Sequence, residues 1–203
     1  MPQRPIIGIV GGIGAGKSLV AQIFSDLGAA HIDADTLTRE AFEAASVKDS
    51  IRLAWGNEVF EPDGRVNREK LSERVFASRS DLRRLEAIVH PWIGRRRKQL
   101  YAAIARRDDV KAVALDSPLL FEANADFECD YVVFVDCCLE TRAQRLAGRH
   151  GWDKQELVKR ESKQLPLDFK RNRADYIVDN NSDTNALRRK VESVFSRIIC
   201  PAP

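Results

Sequence analysis

Five short runs rich in Ile, Val and Ala punctuate the chain: 6-IIGIV-10, 29-AAHID-33, 110-VKAVALD-116, 131-YVVFVD-136 and 175-DYIVD-179. Their apolar residues mostly follow one another without alternating, the pattern of strands covered on both faces, as in a parallel sheet. Segments of helical period lie between them. In 17-KSLVAQIFSDLG-28, Val20, Ile23, Phe24 and Leu27 recur at steps of 3, 1 and 3, and Gly28 supplies a C-terminal stop. A strand, a glycine-rich loop, a helix and a second strand therefore open the chain. The pattern predicts an α/β fold in three layers, a five-stranded parallel sheet between helices.

Two charged helical stretches interrupt that alternation. Residues 35–109, broken by the turn 61-EPDG-64, read as several helices inserted between the second and third strands. Residues 140–167, closed by Pro166, read as a shorter excursion between the fourth and fifth. The core of a single domain is then expected at 1–34, 110–139 and 168–203, with the tail 200-CPAP-203 fraying.

Composition limits the setting. A chain with 44% hydrophobic and 31% charged residues has enough apolar surface to fold, and no apolar run nears the ~18 residues that span a bilayer. Its 33 Lys and Arg against 30 Asp and Glu leave a net charge of +3. That excess is too small to mark a nucleic-acid binder and is compatible with a polyanionic small molecule. Cys129, Cys137, Cys138 and Cys200 show no C-x-x-C spacing, and His31 and His150 have no metal-ligand spacing, so no structural zinc is expected. The N-terminus runs into the first strand without an apolar signal region. Together these features predict a soluble, cytoplasmic protein with free thiols and without a nucleic-acid or membrane partner; a monomer is favoured, but the sequence does not fix the oligomeric state.

The segment 11-GGIGAGKS-18 satisfies G-x-x-x-x-G-K-[ST], with the strand before it and the helix after it that the chemistry requires. Glycines at 11, 14 and 16 let the backbone curl with its N–H groups inward, and the helix N-terminus adds its positive end, forming a nest for a nucleotide's β-phosphate. Lys17 is then placed to bridge the β- and γ-phosphates, and the Ser18 hydroxyl to coordinate Mg²⁺.

Carboxylates at strand ends supply the rest. Asp33 closes the second strand at the carboxyl edge where doubly wound sheets bind ligands, and is the candidate general base for an acceptor hydroxyl. Asp35 fits a helix N-cap better. Asp116 ends the third strand and is a candidate for the metal's shell, through water. Asp136 reads as a turn cap. Arg142, Arg145 and Arg149 share one helix face, ordinarily a solvated one. In a phosphoryl-transfer enzyme, Arg145 and Arg149 are the candidates to close over the nucleotide and stabilise transition-state charge. The run 95-RRRK-98 reads as a solvated face, and His90, followed by Pro91, as a helix break. A kinase for a small molecule or nucleotide fits these residues. A GTPase switch is disfavoured because N/T-K-x-D is absent, and a nucleic-acid-binding ATPase remains a minor alternative.

The set 11-GGIGAGKS-18, 32-IDAD-35, 64-GRVNREKLSERVF-76, 90-HP-91, 118-PLLFE-122, 144-QRLAGR-149 and 174-ADYIVDN-180 resembles the dephospho-coenzyme A kinase family over nearly the whole chain. The resemblance implies phosphorylation of the ribose 3′-hydroxyl of dephospho-CoA by ATP, with Mg²⁺. It also implies a P-loop kinase core in which 35–109 is a helical CoA-binding insertion and 140–167 a lid. Gly11, Gly12, Ile13, Gly14, Ala15, Gly16, Lys17, Ser18 and Leu19 take the place of the ATP loop, Asp33 that of the base, and Arg145 and Arg149 that of lid arginines. Arg68 and His90 correspond to positions of the substrate region. Leu19 stands where Thr is common, Ser182 where Gly is common, and Glu161 and Lys163 where apolar or small residues precede Gln164. The last two imply a lid packed differently.

Overall fold

At the centre of the sheet lies β1 (Ile6–Gly11), buried along its whole length. The computed structural model describes residues 4–200, with the exception of the His150 side chain; the expected fraying beyond residue 200 lies outside the described residues. Around β1 run β2 (Ala29–Asp33), β3 (Ala112–Asp116), β4 (Tyr131–Asp136) and β5 (Tyr176–Asp179), all parallel, in the order β2-β3-β1-β4-β5. The continuously buried apolar runs belong to the inner strands, whereas β2 at the edge is buried only at Ala29 and Ile32.

Alternate side chains divide the two faces. On one, Ile7, Ile9, Ala114, Val133 and Val135 pack against α1 (Lys17–Asp26) and α9 (Thr184–Ile199). Phe24 of α1 is fully buried and meets Phe195 of α9 at 5.6 Å between ring centroids. Truncating such a ring to Ala costs about 3–5 kcal/mol. On the other face, a Cβ added at Gly8 would lie 2.7 Å from Leu120 and 2.8 Å from Cys129, so the chain after β3 lies directly on β1. Phe121 there meets Phe169 of α8 (Leu167–Asn172) edge-on. The helices α6 (Leu139–His150) and α7 (Lys154–Glu161) join β4 to α8.

Residues 4–34 and 104–200 form one compact unit, and 35–103 a second. The second unit is helical: α2 (Ala34–Glu43), α3 (Ala45–Trp55), α4 (Arg68–Phe76) and α5 (Arg79–Ile104), with a short antiparallel bridge, Phe60 to Val66, between α3 and α4. It has its own core, in which Ile51, Trp55, Leu71, Val75 and Val89 are buried.

Two expectations need correcting here. The helix does not break at His90–Pro91, because α5 runs through Pro91 for 26 residues. A proline removes one intrahelical hydrogen bond, but Leu85, Ile88, Val89, Trp92 and Ile93 on both sides pack into the unit's core and outweigh that loss. Asp35 does not cap α2 from outside; it sits within the first turn, where its charge meets the helix's positive end.

Candidate active site

The loop between β1 and α1 is built from close approaches. Gly16 has φ 94°, and a Cβ there would fall within 2.4 Å of Asn180 Nδ2. Asn180 is buried just beyond β5, and its Nδ2 donates to the Ala15 carbonyl at 2.7 Å. Lys17 Nζ donates to the carbonyls of Gly11 at 3.2 Å and Gly12 at 2.9 Å, which holds the ammonium against the loop. Burial lowers its pKa from 10.5 to about 8, opposed chiefly by the nearby Asp116 carboxylate.

Parallel register brings the two candidate carboxylates together. Asp33 at the end of β2 is paired with Asp116 at the end of β3, and Asp116 with Ile9 on β1. Asp116 is 5% exposed, and burial raises its pKa despite the Ser18 hydrogen bond and the Lys17 charge, which pull it down. Its Oδ1 is buried without a hydrogen-bond partner. A buried carboxylate with an orphaned oxygen, bonded to a hydroxyl at the loop's end, is a hard oxygen donor set suited to a divalent cation held through water. His31, on β2, also bears on this carboxylate electrostatically.

The arginines of α6 separate into different roles. Arg142 is 4% exposed, and the expected solvated face is therefore wrong at this residue. It donates to Cys137 O, Ile13 O and Glu161 Oε1, at 3.1, 3.1 and 2.6 Å. Arg145 donates to Ala15 O at 3.4 Å and Asn180 O at 3.1 Å, so it spans the loop and the end of β5. Arg149 is exposed. Asp136 is ion-paired with Arg171 of α8 and does more than cap a turn.

Sequence reasoning gave no role of their own to Asn180, Glu122 and Lys170, and took Arg142 only as part of a solvated face. Lys170 is fully buried and donates to Pro118 O at 3.1 Å and Gln164 Oε1 at 3.2 Å, with Glu122 Oε1 2.8 Å away. Removing one partner of such a pair costs about 3–5 kcal/mol. For Glu122 the signal in the chain was a charge closing the apolar stretch 118-PLLFE-122.

Arg68 and His90 lie in the helical unit. Arg68 opens α4 and stacks over Phe42 at 5.1 Å. It lines a cleft of about 590 Å³ with Glu43, Glu61, Asp63, Arg65 and Asn67. His90 is exposed on α5. In 95-RRRK-98, Arg95 and Lys98 are exposed as expected, but Arg96 pairs with Glu40 at 3.0 Å.

The family model of dephospho-CoA kinase matches residues 5–186. The chain belongs to the dephospho-CoA kinase family. The dephospho-CoA kinase of Syntrophotalea carbinolica is 38% identical over 195 residues, covering 96% of this chain and 92% of that protein. The dephospho-CoA kinase of Geobacter sulfurreducens is 39% identical, covering 95% and 98%. A crystal structure from Thermus thermophilus superposes with a TM-score of 0.80 at 32% identity, covering 96% of this chain and 98% of that one. Dephospho-CoA kinase from Campylobacter jejuni shares the fold, with a TM-score of 0.67 at 22% identity, covering 95% and 96%. The enzyme is thus a kinase, and no helix among the described residues is long and apolar enough to cross a membrane.

Proposed function

We propose that the enzyme transfers the γ-phosphoryl group of ATP to the 3′-hydroxyl of the ribose of dephospho-CoA, completing coenzyme A. The observation that carries this reading is the Asp33–Asp116 register pair at the sheet edge, next to a loop that ends in Lys17 and Ser18. A kinase needs a base for the acceptor and a separate group for the metal, and adjacent strand ends supply the two carboxylates.

In this reading the backbone N–H groups of Gly14 and of Gly16, Lys17 and Ser18 at the first turn of α1 bind the phosphates, with Lys17 bridging the outer two. Asp33 orients the acceptor hydroxyl and takes its proton as the new O–P bond forms. Arg145, held by Ala15 O and Asn180 O, places positive charge beside the loop, where charge spreads over the transferred group. Arg149 joins when α6 and α7 close as a lid, which also excludes water. Ser18 and, through water, Asp116 would hold Mg²⁺. When bound, that ion neutralises charge on the phosphates. Arg68 and His90 belong to the unit proposed to bind the CoA moiety. The enzyme acts on small molecules in the cytoplasm, as a monomer.

An ATP-consumption assay with dephospho-CoA, nucleoside monophosphates and shikimate as separate acceptors tests this directly. Stimulation by dephospho-CoA well above the others is expected. Equal or greater stimulation by another acceptor would make the protein a kinase of a different small molecule.

A further inference from the structure

The mouth of the loop holds a carboxylate from the protein itself. Glu161, the last residue of α7, accepts at Oε1 from the Ile13 backbone N–H at 3.0 Å and from Arg142 Nη1 at 2.6 Å. A Cβ added at Gly12 would lie 2.6 Å from Arg142 Nη1 and 2.8 Å from Glu161 Oε1, so the ion pair rests on the loop backbone itself. Both groups also act on Lys17, the carboxylate raising its pKa and the guanidinium lowering it. The Glu161 side chain is 16% exposed and that of Arg142 4%.

An N–H that already donates to a carboxylate oxygen is not free for a phosphate oxygen. A carboxylate fixed within a few ångströms of a polyphosphate in a partly buried site also repels it strongly. Arg142 is anchored independently, through Nε to Cys137 O and Nη1 to Ile13 O, so it stays on the loop if its acidic partner leaves. Glu161 stands at the C-terminal end of α7, ahead of the turn at 162–163, so a displacement of α7 would withdraw it.

On the reading that this loop binds ATP, we infer that Glu161 is a displaceable internal competitor for the nucleotide's phosphates, and that Arg142 is the phosphate ligand released when it leaves. The contact lowers the resting affinity of the loop for ATP. It also couples nucleotide binding to movement of α7, because the incoming phosphate and the Glu161 carboxylate exchange places on the same two donors.

The test is equilibrium binding of ATP and of adenosine to the full-length enzyme and to Glu161→Ala, Glu161→Gln and Arg142→Gln. Glu161→Ala is expected to tighten ATP about fivefold or more, the lower range of coupling between sites. Glu161→Gln keeps both hydrogen bonds but not the charge, and is expected to tighten ATP to a smaller degree. It carries the test if the alanine variant does not fold. Adenosine, without phosphates, binds all of them alike. Arg142→Gln is expected to weaken ATP about tenfold through loss of a charge-assisted hydrogen bond. Unchanged or weaker ATP binding by both Glu161 variants would make the residue a strut for the lid and overturn the inference alone. Failure of the wild-type enzyme to bind ATP would overturn it together with the reading of the loop.

Discussion

Raising the pH through 8 is predicted to loosen the loop's hold on ATP through a single side chain, Lys17. Burial brings its pKa to about 8, against 10.5 in water. The Lys17 ammonium is then about nine-tenths formed at pH 7, half formed at pH 8 and about one-tenth formed at pH 9. Polyphosphate binds the charged form and pulls the pKa back up, so binding takes up protons. The uptake amounts to about 0.1 proton per ATP at pH 7, about 0.5 at pH 8 and about 0.9 at pH 9. The sign follows: affinity is full below pH 8 and falls as pH rises through it, approaching roughly tenfold per pH unit until the pKa of the bound state is reached. Titration calorimetry in two buffers of different ionisation heat measures the uptake, and the same titrations give Kd. Lys17→Arg, whose guanidinium stays charged, is expected to abolish both the uptake and the pH dependence. An ATP Kd that is flat from pH 7 to 9.5 in the wild-type enzyme, with no proton uptake, would refute the placement of a desolvated Lys17 on the phosphates.

Two substitutions probe other parts of the site. Asp33→Asn is expected to leave the ATP Kd within about twofold while lowering kcat by roughly 10²–10⁴, the usual contribution of a general base; an unchanged kcat would move that role to another group. Gly16→Ala forces a Cβ to 2.4 Å from Asn180 Nδ2 at a φ of 94°, and is expected to cost about 1–3 kcal/mol. Thermal unfolding would then shift down by several degrees, with weaker ATP binding; an unshifted Tm would mean that Asn180 does not fix the loop.

What the chain disclosed followed from local patterns. Continuous apolar runs announced the inner strands, and 11-GGIGAGKS-18 announced the loop, because both signals lie in consecutive residues whose physics is self-contained. The pairing of Asp33 with Asp116 was half legible: each could be placed at a strand end, but only the strand order puts β2 beside β3. The partnership of Arg142 with Glu161 was hidden because they lie nineteen positions apart, Arg142 reading as a solvated helix charge and Glu161 only as a departure in the lid. Their partnership depends on how α6 and α7 pack on the loop, which no periodicity encodes. Lys170 was hidden for a related reason, since its carboxylate partner, Glu122, lies far back in the chain. The break expected at Pro91 failed because a local rule about proline was outweighed by apolar residues on both sides that bury in the same core.

The enzyme's function rests on the identity of the acceptor and of the group transferred. Incubating the enzyme with dephospho-CoA and ATP labelled in the γ-phosphate, and locating the label in the product by mass spectrometry and phosphorus NMR, tests it most directly. One labelled phosphoryl group is expected on the ribose 3′-oxygen of the product, with ADP formed in equal amount. Label released as inorganic phosphate whether or not dephospho-CoA is present, or found at any other position, would contradict it.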